Sequence, residues 1–125
     1  MAVETINAVA GKLNIVIEQG ATFDVPLYWK DENGTLITGL NTWTARMHIR
    51  DAIDTATTLL ELTTENGRIT LGATPGEIRL SITDTDTTTI AWESGVYDLE
   101  LEDAGGIVTR LLKGTVTVDY EVTRQ

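Results

Sequence analysis

The run ESGVYDLELEDAGGIVTRLLKGTVTVDYEV, Glu93 to Val122, constrains the fold more than any other stretch. Tyr97, Leu99 and Leu101 alternate with Asp98, Glu100 and Glu102, the two-residue period of a strand with one face in a core and the other outside it. Asp103, Ala104, Gly105 and Gly106 supply a turn, so the run reads as two long strands in a hairpin with no catalytic group on its apolar side. The second strand slips in phase: Val116, Val118, Tyr120 and Val122 share the parity of Arg110, whereas Leu111 does not. A bulge near Gly114, or a strand that leaves one sheet for the other, accounts for the slip.

Other segments repeat this pattern. Leu13, Ile15 and Ile17 share one side of a strand from Lys12 to Glu18, and Phe23, Val25, Leu27 and Trp29 one side of a strand from Ala21 to Lys30. Pro26 lacks an amide donor and predicts a bulge or an unpaired edge within the second. After a turn at Asn33 and Gly34, Trp43, Ala45, Met47 and Ile49 oppose an outer row of Thr44, Arg46, His48 and Arg50. Leu59 to Thr64 and Arg68 to Leu71 flank Asn66 and Gly67, and a hairpin centred there sets Leu62 opposite Leu71. Following Pro75 and Gly76, Ile78, Leu80 and Ile82 form one face of a strand. Asp84 then reads as the N-cap of one to two helical turns, kept short by Thr85, Thr87, Thr88 and Thr89 and pinned to the core by Ile90 or Trp92. Closely spaced strands without a long crossover helix predict an all-β fold, an antiparallel sandwich with one short helical crossover. The 125 residues form one domain, with an N-terminal arm over 1–11 and the β-sandwich over 12–125.

Charge and composition exclude several functions. The formal net charge is -10, from 19 acidic and 9 basic residues, so the surface repels phosphate backbones and favours partners that are basic or apolar. With no cysteine there are no disulfides, thiolates or Cys-bearing zinc sites. The N-terminus lacks a signal peptide pattern and no apolar run reaches membrane-spanning length, which predicts a cytosolic product that stays soluble or joins an assembly. His48 is flanked on its own face by Arg46 and Arg50, which disfavour a bound cation. Asp84 and Asp86 resemble the start of a calcium loop, but Thr89 stands where its glycine belongs and Gly95 where its glutamate belongs. Ser81 and Ser94 have no nucleophile signature, and Glu100 and Glu102 alternate onto an exposed sheet face, so the chain reads as a non-enzyme without a catalytic, cofactor or metal site. Trp92, beside Glu93, is a candidate interface anchor. On the arm, Val3, Ile6 and Val9 recur every three residues and can order against a neighbour.

Two resemblances add to this reading. Glu93-Ser94-Gly95-Val96-Tyr97-Asp98-Leu99 resembles the corner of immunoglobulin-like domains, with Leu99 where a Cys usually stands. It implies that the strand starting at Trp43 lies beside the one starting at Gly95, so that Arg46, His48 and Arg50 face Asp98, Glu100 and Glu102 in a charge ladder. Trp29 and Trp43 are then the candidates for the buried core tryptophan. On a larger scale, IEQGATFDVPLYWKDENGTLITGLNTWTARMHIR from Ile17, LLELTTENGRITLG from Leu59, GVYDLELED from Gly95 and RLLKGTVTV from Arg110 resemble a family of small proteins of tailed-phage and prophage structural modules. These are similar to the N-terminal immunoglobulin-like domain of baseplate upper proteins.

The resemblance implies a non-enzymatic virion structural protein, made in the bacterial host cytoplasm, that acts as an adaptor or anchor at the tail, collar or baseplate and attaches fibres or receptor-binding parts. Its implied partners are other virion proteins, in a homo-oligomer or symmetric multi-copy assembly, with no cofactor, nucleic acid or membrane. The chain ends at Gln125 without a downstream receptor-binding region, which favours an attachment module. Val3, Ile6, Val9, Trp92 and the open sheet edges are the expected contact positions. A capsid decoration protein and a free carbohydrate or surface-binding module are the alternatives.

Overall fold

The alternating segments become strands in the computed structural model, which describes residues 2–3 and 11–123. In chain order these are β1 (Ala2–Val3), β2 (Gly11–Lys12), β3 (Ile15–Glu18), β4 (Phe23–Trp29), β5 (Thr44–Arg50), β6 (Thr58–Thr63), β7 (Ile69–Leu71), β8 (Glu77–Ile82), β9 (Ser94–Glu102) and β10 (Val108–Asp119). A single 3-10 turn over Leu40–Thr42 precedes β5, and a five-residue helix α1 (Asp84–Thr88) joins β8 to β9. The protein is therefore mostly β. One sheet has the order β1-β4-β8-β7; the other has β2-β10-β9-β5-β6, with β3 following β2 along the same side of β10. Pairing is antiparallel throughout except where β1 meets β4 and where β2 and β3 meet β10.

The inward side chains of both sheets form one buried cluster. Leu27, Ile78, Leu80 and Ile82 enter it from the first sheet, and Met47, Ile49, Leu99, Leu101 and Val116 from the second. Trp29 is buried at the end of β4 and packs edge to face on the half-buried Trp43, their ring centroids 5.5 Å apart. The edge-to-face pair links the two sheets, since Trp43 leads directly into β5. Within β4, Pro26 stands in register opposite Arg79 with no bulge in that pairing.

Two expectations about connections are corrected. Asn66 and Gly67 do not close a hairpin: β6 pairs with β5 and β7 with β8, so this turn carries the chain from the second sheet to the first. Leu62 and Leu71 are both buried, entering the same core from opposite sheets rather than side by side on one. The turn is closed locally instead. The Asn66 side-chain oxygen accepts from the amides of Thr63 and Arg68, and Gly67 takes the positive φ of 81°. The N-cap of α1 is Thr83, whose hydroxyl accepts from the Asp86 amide at 3.2 Å, while Asp84 is the first helical residue. The cap moves because Thr83 holds the extended backbone conformation that a cap requires.

The phase slip in β10 also has a defined place. Its register against β9 shifts between Arg110 and Leu112, so Leu111 is the extra residue and both Leu111 and Leu112 are buried. The irregularity lies three residues before Gly114. Gly114 has another role, in the close approach of the neighbouring edge.

Candidate interaction surfaces

Tyr97 and Gly114 face each other across the β9–β10 pairing. With no side chain at Gly114, the Tyr97 hydroxyl reaches past it and donates to the carbonyl of Leu13, 2.6 Å away on the edge segment between β2 and β3. The fit is tight: a Cβ built at Gly114 would collide with the Leu13 carbonyl oxygen and lie 2.8 Å from its carbon. Two further bonds hold this kink, from the Leu13 amide to the Lys113 carbonyl at 3.0 Å and from the Thr115 amide to the Asn14 side chain at 3.2 Å. Burial pushes the Tyr97 hydroxyl well above the ordinary tyrosine range. In immunoglobulin-like domains the corner tyrosine bonds to backbone a few residues upstream. Here it bonds 84 residues upstream and fastens the sheet's edge rather than its corner.

The outer face of the second sheet carries the charges that the strand alternation exposes. A concavity of about 560 Å³ on this face is lined by five of the chain's nine Lys and Arg residues, Lys12, Arg46, Arg50, Arg110 and Lys113, together with the acids Asp98 and Glu100. The anticipated ladder forms at one rung. Arg46 pairs with Glu100 at 3.1 Å and reaches Glu102 at 3.5 Å. The antiparallel register then sets His48 opposite Asp98 and Arg50 opposite Val96, one position short of a third charged rung. His48 and Arg50 find other partners. His48 turns to Glu61 of β6 at 3.0 Å, and Arg50 donates to the carbonyls of Thr55 and Ala56, each at 2.8 Å, pinning the loop that follows β5. Asp98 pairs with Arg110 at 3.6 Å.

Two further arginines pair with nearby acids. Arg68 bonds Asp86 at 2.8 Å and holds its carboxyl below the usual aspartate range. Glu77, nearly buried, accepts from Arg79 at 2.7 Å and from the Thr74 hydroxyl at 3.2 Å. Among the described residues no group of three His, Asp or Glu side chains is placed to hold a metal ion. Nor is any helix among the described residues long and apolar enough to cross a membrane.

Of the anticipated contact residues, only Val3 and Trp92 are among those described. Val3 lies in β1, paired in register with Trp29, whereas Ile6 and Val9 fall outside the described residues. Trp92 is half-buried and packed against the hydrophobic cluster next to α1. Sequence reading missed the Tyr97, Leu13 and Gly114 contact. Its only sequence signal was a lone glycine in a strand, which marks close backbone approach without saying whose. No family model matches the chain, and no curated protein matches it.

Proposed function

We propose that this chain is a non-enzymatic structural protein of a tailed-phage virion, an adaptor or anchor subunit at the tail, collar or baseplate that attaches fibres or receptor-binding parts. It is read as an immunoglobulin-like β-sandwich with α1 as its short helical crossover. The strand order supports this: β4-β8-β7 on one side and β3-β10-β9-β5-β6 on the other, with α1 passing between them, is the arrangement that resembles an immunoglobulin domain. The sequence resemblance spanning Ile17 to Val118 supplies the virion setting.

The observation that carries the reading is where the chain places its surface chemistry. Charged side chains at the centre of the second sheet's outer face are engaged in ion pairs, and β1 joins β4 as an added strand, the same pairing mode by which an open edge takes up a partner. The same placement disfavours a carbohydrate-binding module, which needs exposed coplanar aromatic rings. Trp29 is buried, and Trp43 and Trp92 are half-buried against the core. A capsid decoration protein would share the fold and the multi-copy use, and differs in location.

Labelling purified particles with an antibody to this chain, with its copy number from quantitative mass spectrometry, tests the proposal. Label at the tail, collar or baseplate in a multiple of its symmetry is expected. Label over the capsid shell would select the decoration reading, and absence from particles would overturn both.

A further inference from the structure

The two edges of the second sheet are built differently. On the β6 edge the pairing with β5 is irregular at Leu59, and the Glu61 carbonyl accepts from the side chains of Asn66 at 3.0 Å and Arg68 at 2.8 Å. Bulges and capped carbonyls are how native sheets keep an edge from recruiting another strand. The opposite edge, formed by β2 and β3, is kinked at Leu13 and Asn14 and has its Glu18 carbonyl taken by the Ala21 amide at 3.2 Å, but from Ile15 to Ile17 no side chain caps it among the described residues. The Leu13 amide donates to Lys113 and the Gln19 amide to Asp119, so odd-numbered amides point at β10 and those of Asn14, Val16 and Glu18 point away from the sheet. Val16, at the middle of this edge, is 58% exposed.

The charges along the edge are arranged against the stability of the isolated chain. Lys12 stands in register beside Lys113, and Glu18 beside Asp119, all four exposed. Like charges directly opposite each other are destabilising, and among the described residues none of the four makes an ion pair. The two lysines and the two acids lie six residues apart along the edge, roughly 20 Å. A stripe with cations at one end, anions at the other and an exposed valine between them is complementary to itself after a half-turn.

We propose that this edge pairs antiparallel with the same edge of a second copy about a twofold axis that passes at Ile15. In that register Lys12 meets Glu18 of the second copy at both ends, and Asn14 meets Val16. The outward backbone groups of these even-numbered residues fall in mutually hydrogen-bonding positions, apart from the Glu18 carbonyl, which already accepts from the Ala21 amide. Lys113 and Asp119 flank the pairs, so each end sets two cations against two anions, and the like-charge neighbours of the single chain acquire counterions. The contact is isologous, as closed symmetric dimers require. It gives the multi-copy use proposed above a defined first interface but does not depend on the virion setting.

Sedimentation velocity of the full chain over a range of concentrations, with Lys12→Glu, Glu18→Lys and the double exchange, tests it. Wild type is expected to dimerise, and each single reversal to raise the dissociation constant by about tenfold or more. The double exchange restores it, because every Lys–Glu contact is re-formed with its ends swapped. Val16→Pro, placed on an exposed position, is expected to abolish the dimer while circular dichroism reports an unchanged fold. A wild type that stays monomeric overturns the interface, as does a double exchange no better than the singles. Neither result bears on particle labelling, so failure here is distinguishable from failure of the virion reading.

Discussion

Replacing Gly114 by alanine tests how the edge of the second sheet is fastened. The added Cβ meets the Leu13 carbonyl, a backbone group held by its own amide bond to Lys113, so the clash is not relieved by turning a side chain. Overpacking of this kind costs about 1 to 3 kcal/mol. Shifting the carbonyl also breaks its 2.6 Å bond from the Tyr97 hydroxyl, a loss of about 1 kcal/mol. Gly114→Ala should therefore destabilise by about 2 to 4 kcal/mol. Tyr97→Phe removes only the hydroxyl and should cost about 1 to 2 kcal/mol. Because both changes lose the same bond, the double variant should fall short of the sum by at least about 0.5 kcal/mol. Equilibrium urea unfolding of the four proteins, analysed with a common slope, gives the numbers. A Gly114→Ala protein within about 0.5 kcal/mol of wild type, or strict additivity in the cycle, would refute the reasoning.

Three further outcomes follow from particular contacts. Burial raises the Tyr97 ionisation above its unfolded value near 10, so the folded chain keeps the proton that the unfolded chain releases. Stability should be fully present below pH 10 and decline as pH rises beyond it; urea midpoints across alkaline pH should show a weaker decline for Tyr97→Phe. Thr87, fully buried, donates to the Ala21 carbonyl at 2.8 Å and accepts from the Gly20 amide at 3.1 Å. Thr87→Val keeps the shape but leaves both groups without that hydroxyl, and should cost about 2 kcal/mol in the same unfolding assay. Arg46→Ala removes both ion pairs to β9, yet its side chain is 47% exposed, so the loss should be about 0.2 to 1 kcal/mol and should shrink in high salt.

Individual strands were legible because their information is local. Leu99 and Leu101 face the core, and Glu100 and Glu102 face outward, as the alternation requires. The β5–β9 neighbourhood was legible too, through the resemblance at Glu93 to Leu99, but that Arg46 stands opposite Glu100 was not. The third rung failed because a ladder depends on register, which a period of two fixes only to within two residues. The Asn66 and Gly67 turn misled for a related reason. The same residues that close a hairpin also close a turn between sheets, and what separates the cases is which strand each neighbour pairs with. The candidate surface was legible in part. Open edges were anticipated, but the juxtaposition of Lys12 with Lys113 and of Glu18 with Asp119 joins residues about a hundred positions apart.

By itself the sequence determined that the protein is mostly β, which side of each strand is buried, where the chain must turn, and that its surface is strongly acidic. Each is a property of neighbouring residues or of a sum over the chain. Only the tertiary structure decided that one edge of the second sheet is capped while the other is held by the Tyr97 hydroxyl with Val16 exposed along it. Those outcomes depend on backbone approach between distant segments. They are set by packing two sheets on one core and have no local signature beyond a single glycine at position 114.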